Sequence, residues 1–267
     1  MKLSDDLLTR FNETGLLVLP NLFSDAEVEL LRAALEPLLA QEDPANIREK
    51  GGGAVRTAMG LHLRSPIFAK LVRHPRLIEP ALQILGRDLY VQQVKVNIKE
   101  AFEGEAWQWH YDFATHLQED GVPAPLALNL HVFLDDVSEF NGPLYFIPGS
   151  HREGPAPATL DTHSTSYPLW VVDRHTVTQL ANRNGLISGT GPKGTVLIFG
   201  DVMVHASPPN LSPWSRRIFS LIVNPTDNRQ TRFQRPEHKH HRDFSPIVPL
   251  ADDCISRELT RVPVEVD

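Results

Sequence analysis

The chain has 267 residues, 41% of them hydrophobic, and a formal net charge of −7 from 26 basic and 33 acidic side chains. This is enough apolar material for a proper core, and the acidic balance argues against a nucleic-acid binder working through a basic face. One cysteine, Cys254, excludes an intrachain disulfide and a thiolate metal cluster. With no amino-terminal signal pattern and no apolar run of about 18 residues, the expectation is a cytoplasmic protein without a membrane span.

In chain order, residues 14–20 read as a short strand ending at Pro20. Ser24 and Glu27 have capping-box spacing, and Val28, Leu31, Leu35 and Leu38 recur at helical spacing to about residue 40. Residues 41–60 contain Gly51-Gly-Gly53 and read as a mobile loop, with Arg56 as a solvated side chain. Ser65-Pro66 opens another helix, Pro75 interrupts it, and a further helix covers 76–85 and stops at Gly86. From residue 89 to 99 the pattern alternates. Gln93, Lys95 and Asn97 share one face, polar enough to line a pocket, with Val94, Val96 and Ile98 on the other.

Short strands follow at 106–110, 126–134, 144–147, 195–199 and 218–223, separated by turns such as Asn141-Gly-Pro143 and Pro148-Gly-Ser150. Residues 153–191 read as an irregular insertion with one helix, capped by Asp173 and followed by Gly185. A helical first third and a strand-rich remainder predict an α+β fold, a double-sheet jelly roll with helices packed on one face. The division is a helical part at about 1–88, a jelly-roll core at 89–225 and an extension at 226–267, all one domain.

The chemistry centres on Trp107-Gln-Trp-His110-Tyr-Asp112 and on His205. In a strand, residues i and i+2 share a face, so His110 and Asp112 present an imidazole and a carboxylate together while Tyr111 points away. By itself His-x-Asp is a common pattern in a chain with 12 histidines. A second histidine completes the two-histidine, one-carboxylate face of non-haem Fe(II) oxygenases. Arg216, eleven residues after His205, can grip a carboxylate through two parallel hydrogen bonds, and Ser207 can add a hydroxyl. Trp107 and Trp109 alternate with His110, so one lines the pocket and the other packs in the core. The tract Glu237-His-Lys-His-His-Arg242 reads as a solvated turn, and residues 102–105 and 111–125 as lids over the site.

His110-x-Asp112, the Asn141-Gly-Pro-Leu-x-x-x-Pro-Gly-Ser-His151 turn, His205 and Arg216 together resemble the phytanoyl-CoA dioxygenase family of Fe(II)/2-oxoglutarate oxygenases. Within it, the sequence is most similar to ectoine hydroxylases and bacterial proline 4-hydroxylases, through Trp-His-x-Asp with Glu119-Asp-Gly121 and the strand ending Asn97-x-Lys99. The resemblance implies Fe(II) on His110, Asp112 and His205. It implies 2-oxoglutarate on Arg216 and Ser207, with Gln93 and Asn97 lining the cosubstrate pocket. The implied reaction consumes O2 and 2-oxoglutarate, releases succinate and CO2, and hydroxylates an unactivated C–H bond of a small free amino acid or related polar metabolite. Desaturation, epoxidation and cyclisation use the same chemistry, and a jelly-roll binding protein without turnover is the reading from another class. The carboxylate at Asp112 disfavours halogenation.

The substrate wall implied by the resemblance comprises Thr115, His116, His131, Val202, Leu221 and Trp109. His116 replaces a tryptophan of these relatives, His131 a serine of the ectoine enzymes, and Val202 and Leu221 their phenylalanines. The partners expected are thus a small-molecule substrate, no nucleic acid and no membrane, for a monomer or homodimer.

Overall fold

A computed structural model describes residues 1–50 and 53–259. The helical part contains α1 (Asp5–Thr14), β1 (Leu16–Leu19), α2 (Asp25–Leu39), β2 (Asn46–Arg48), β3 (Val55–Met59), α3 (Leu61–Arg64), α4 (Pro66–Leu71) and α5 (Pro75–Leu85). There follow β4 (Leu89–Lys99), β5 (Trp107–His110), α6 (Asp112–Asp120), β6 (Leu128–Phe133), β7 (Leu144–Phe146), β8 (Ala158–Asp161) and β9 (Leu169–Val172). The rest comprises α7 (Arg174–Asn184), β10 (Ile187–Gly189), β11 (Val196–Gly200), β12 (His205–Ser207) and β13 (Arg216–Pro225).

Two antiparallel sheets form the jelly roll. One has the order β1-β11-β6-β13-β4-β3-β2 and the other β10-β7-β12-β5-β9-β8. Alternation decides what each face of the larger sheet meets. Val94, Val96, Leu130, Val132, Phe219 and Leu221 point outward and are covered by Val28, Leu31 and Leu35 of α2, Phe68 of α4 and Leu77 and Ile78 of α5. Inward-facing Phe133, Leu197, Phe199 and Ile218 meet Leu144 and Phe146 of the smaller sheet. The helices therefore sit on one sheet, and the space between the sheets is left for the site.

Local signals set several boundaries. Ser24 and Glu27 cap α2 reciprocally, Pro75 opens α5 and Gly86 closes it in the left-handed conformation. The Asp173 carboxylate accepts from the backbone N–H groups of His175 and Thr176, as expected of the cap of α7.

Three expectations fail. Residues 41–60 are not a loop: β2 and β3 extend the larger sheet beyond β4, with Thr57 opposite Asn97. Gly51 and Gly52 lie outside the described residues. The 153–191 insertion holds three strands besides its helix. Residues 111–125 are mostly α6, whose buried Phe113, Ala114 and His116 make it part of the body of the protein. The terminal extension is described only to residue 259, and no helix among the described residues is long and apolar enough to cross a membrane.

Candidate metal centre and cosubstrate pocket

His110 ends β5 and His205 begins β12, two antiparallel neighbours in which these residues stand directly opposite each other. Their ring centroids are 4.1 Å apart. Asp112 is not on the strand as expected; it is the first residue of α6. Tyr111 keeps extended backbone angles, φ −134° and ψ 145°, so the i, i+2 relation survives the change of element. The Tyr111 ring turns away into a cluster with Phe113 and Val172, and its hydroxyl donates to the carbonyl of Ala156. One ligand atom from each of His110, Asp112 and His205 lies within 4.8 Å of the others.

The donor set fits Fe(II) in its proton arrangement as well as its spacing. Nδ1 of His110 is 2.6 Å from the Gln108 carbonyl, and Nδ1 of His205 is 2.9 Å from the Met203 carbonyl. A carbonyl only accepts, so each Nδ1 carries the proton and each Nε2 lone pair is free for a metal. Nε2 of His110 is 3.9 Å from Oδ1 of Asp112, and Nε2 of His205 is 4.0 Å from Oδ2. The Asn129 amide donates to Oδ2 at 2.9 Å and fixes the carboxylate plane. Burial, with His205 beside it, pushes the His110 pKa down to about 3. Burial works to raise the Asp112 pKa, but His205, Lys95 and His110 together hold it below the ordinary carboxylate range. Neutral imidazoles and an ionised carboxylate are the forms that ligate.

Arg216 is buried at the other end of the same cavity. Its Nε and Nη2 donate to the carbonyl of Gly142 at 3.1 and 2.7 Å, and Nη2 also donates to Oγ of Ser207 at 3.1 Å. The Ser207 hydroxyl donates in turn to that same carbonyl at 2.9 Å. Gly142 has φ +78°, and a Cβ there would stand 2.6 Å from Cδ of Lys99, so the Asn141-Gly-Pro turn requires glycine. No acceptor among the described residues takes Nη1. Burial and Arg56 lower the Arg216 pKa to about 9; at neutral pH the guanidinium stays charged.

Arg56 corrects a second expectation. It is 1% exposed, donates from Nη1 to Glu49 at 3.0 Å and Glu105 at 2.9 Å, and stacks 4.0 Å over the Trp107 ring. The Phe102–Glu105 segment, expected as a lid, is tied down through Glu105.

The cavity brings together Gln93, Asn97, Thr115, His116, His131, Ser207 and Arg216 with the three ligands. It leaves out Trp109, Val202 and Leu221. Leu221 belongs to the outward face of β13 and packs under the helices. Val202 sits with Tyr111 and Phe113. Trp109 packs against the buried cluster of Ile147, Leu180 and Val204, and Trp107 lines the cavity instead. The cause is a bulge: Ser207 pairs with Trp107 while His205 pairs with His110, so three steps on β5 match two on β12. That extra residue puts Trp107 on the face of His110.

His116 and His131 differ in state. Burial pulls the His116 pKa down, but Oδ1 of Asp201, 3.0 Å from Nδ1, more than offsets it. Burial drives the His131 pKa well below its usual value, and its Nε2 lies 2.9 Å from the Ser220 hydroxyl. Residues not foreseen here are Asn129, Tyr167 and Arg235; Lys95 was foreseen only as part of a polar strand face. The 237–242 tract is a turn that is solvated only in part: Glu237 and Arg242 are exposed, but His240 is buried. His240 is 2.8 Å from Asp120, the Lys239 carbonyl accepts from Gln93 at 2.6 Å, and Arg235 forms a two-pronged pair with Asp120 at 2.8 and 2.6 Å.

A jelly roll with two histidines and one carboxylate on one face, open elsewhere, and a buried arginine in the same cavity define a non-haem iron oxygenase that takes an acidic cosubstrate. The phytanoyl-CoA dioxygenase family model matches residues 11–218, and the chain belongs to that family. It is 38% identical to an L-proline trans-4-hydroxylase of Streptomyces griseoviridis, over 93% of this chain and 96% of the relative. It is equally 38% identical to an ectoine dioxygenase of Bordetella parapertussis, over 93% and 86%. Among solved structures, EctD from S. alaskensis with 2-oxoglutarate and 5-hydroxyectoine superposes with a TM-score of 0.82 at 31% identity, covering 93% of this chain and 87% of that one. The same protein with bound Fe gives 0.80. This chain is accordingly an Fe(II)- and 2-oxoglutarate-dependent dioxygenase.

Proposed function

We propose that the enzyme hydroxylates an unactivated C–H bond of a small free amino acid or related polar metabolite, of the size of proline or ectoine. The observation that carries this reading is a single cavity with His110 and His205 on the smaller sheet, Asp112 at the start of α6, Arg216 reaching across from the larger sheet to Ser207, and a polar wall of Gln93, Thr115, His116 and His131. The relatives named above act on compounds of this size. His110, Asp112 and His205 would hold Fe(II), and Arg216, seated by Gly142 and Ser207, would hold the distal carboxylate of 2-oxoglutarate. O2 would be the oxidant: bound iron would couple its four-electron reduction to the oxidative decarboxylation of 2-oxoglutarate, which supplies two electrons and leaves as succinate and CO2, and to oxidation of a C–H bond to an alcohol, which supplies the other two. The chain's own part is to place the substrate carbon and keep water out. Trp107, Leu144 and Ile218 give the cavity its apolar surface, and His131 as a neutral imidazole and His116 paired to Asp201 give it directional polar contacts.

The test is a 2-oxoglutarate turnover screen over free amino acids and compatible solutes, followed by product mass. The expected result is substrate-dependent succinate with a product heavier by one oxygen, abolished in His110→Ala and Asp112→Ala. A loss of two hydrogens would replace hydroxylation with desaturation, and no charge-transfer band on anaerobic addition of Fe(II) and 2-oxoglutarate would sink the reading.

A further inference from the structure

The cavity lining belongs almost entirely to strands and helices; only Tyr167 and Arg235 come from irregular segments. Arg235 is held by its two bonds to the buried Asp120. Tyr167 is held differently. It stands in the tip that joins β8 to β9, and none of residues 158–168 is buried. β8 is the outer strand of the smaller sheet. A segment with no buried residue has little packing to keep it in place.

One carboxylate does much of the holding. Oε2 of Glu105 accepts from the Ser166 N–H at 3.0 Å and from the Ser166 hydroxyl at 3.3 Å. The same oxygen accepts at 2.9 Å from Arg56, which lies 4.0 Å over the Trp107 ring. Oε1 accepts from the Lys50 N–H at 3.1 Å, and the Lys50 ammonium donates to the His163 carbonyl of the tip. Burial works to raise the Glu105 pKa, but the N–H groups of Ser166 and Lys50 outweigh it, so the group is ionised at neutral pH. Tyr167, next to Ser166, closes on the Trp107 ring at 5.4 Å. Glu105 thus ties together the two side chains that pack on Trp107. Within the tip, Asp161 accepts from the N–H groups of His163 and Ser164, and the Thr165 hydroxyl donates to the Tyr167 carbonyl. The tip can therefore swing as one piece once its catch lets go.

We propose that Glu105 is a positioning residue for the hydroxylation: its carboxylate catches the 162–168 tip through Ser166, Tyr167 then shuts the cavity against Trp107, and substrate enters and product leaves when the catch opens. The catch acts on any substrate of this cavity and goes beyond the choice of metabolite.

Hydrogen exchange reads the catch without turnover, because the Ser166 amide is one of its bonds. In Glu105→Gln, exchange across 162–168 should rise about 10-fold, the lower end for a charged hydrogen bond, while the amides of β5 and β12 keep their protection. Ser166→Ala leaves Arg56 and its partners untouched and should raise it about threefold. The double variant should exchange no faster than Glu105→Gln. In turnover, both single variants should raise the KM of the substrate found by the screen by similar factors. They should also raise the share of succinate formed without hydroxylated product, because an open tip admits water. The KM for 2-oxoglutarate should stay within about threefold of wild type. Unchanged exchange at 162–168 in both single variants, exchange effects that add in the double variant, or a rise in the KM for 2-oxoglutarate alone would overturn the inference. If Glu105→Gln fails to fold, unchanged exchange in Ser166→Ala overturns it by itself. Failure of the broader reading registers differently: no amino or imino acid is then turned over by wild type, while exchange still decides the catch.

Discussion

Arg216 is positioned by protein groups on two of its nitrogens. Gly142 and Ser207 fix the plane of the fork, so little orientational freedom remains to be lost when a carboxylate binds. Arg216→Lys keeps the charge and removes the fork. It should raise the KM for 2-oxoglutarate about 10- to 100-fold, corresponding to roughly 1.5–3 kcal/mol for a charged hydrogen-bonded contact, with a smaller change in kcat at saturation. Steady-state succinate formation against 2-oxoglutarate concentration measures this; an unchanged KM would remove Arg216 from the cosubstrate role. The arginine was legible from its spacing to His205, and Ser207 from its parity. Gly142 as the shared acceptor was not, because nothing local says where a carbonyl 74 residues upstream will point. Arg56 was misread for a similar reason: its partners, Glu49 and Glu105, lie 7 and 49 residues away.

Among elements, α2, α4, α5, α7 and β4 were readable because each carries its own period or a cap, whereas α1 was not read and α6 was taken for a lid. β2 and β3 were not: Asn46-Ile-Arg48 and Val55-Arg-Thr-Ala-Met59 lack apolar alternation, and β3 becomes a strand by pairing with β4 and β2 by pairing with β3. The β5 bulge is also invisible locally, which is why Trp107 rather than Trp109 faces the metal ligands. α6 matters most here, since it begins at a ligand and ends at Asp120, where Arg235 and His240 clamp it to the carboxy-terminal segment. Burial raises the Asp120 pKa, but His240 and Arg235 outweigh it and hold it at about 2. A carboxyl depressed in the fold contributes stability above its unfolded pKa, about 3.9, and loses it as pH falls towards the folded value. Wild type should therefore lose this contribution between about pH 4 and 2. Asp120→Asn should be less stable by roughly 3–5 kcal/mol at neutral pH, because it leaves the buried Arg235 guanidinium without its counter-charge, and should lack that acid-dependent component. Urea unfolding at several pH values measures both, and identical acid slopes in the two proteins would refute the assignment.

For the molecule as a whole, helices cover one face of the larger sheet and leave the inter-sheet space to chemistry, the helices on one face being foreseen from a helical first third and a strand-rich remainder. Ligands held between two sheets bind the folded state alone. Mn(II) with 2-oxoglutarate, each at about 100 times its Kd, should add about 2.7 kcal/mol per site. A thermal shift reversed by EDTA would show it, and no shift would argue against a preformed site. The register that sets His110 opposite His205 carries one more consequence. The two residues are 95 apart in the chain (205 − 110), and closing a segment of that length costs about 4 kcal/mol of chain entropy beyond a constant. Until β5 and β12 pair, the nascent polypeptide offers a metal only His110 and Asp112, a two-ligand fragment. The three candidate ligands therefore stand together only in a chain whose β5 and β12 have paired.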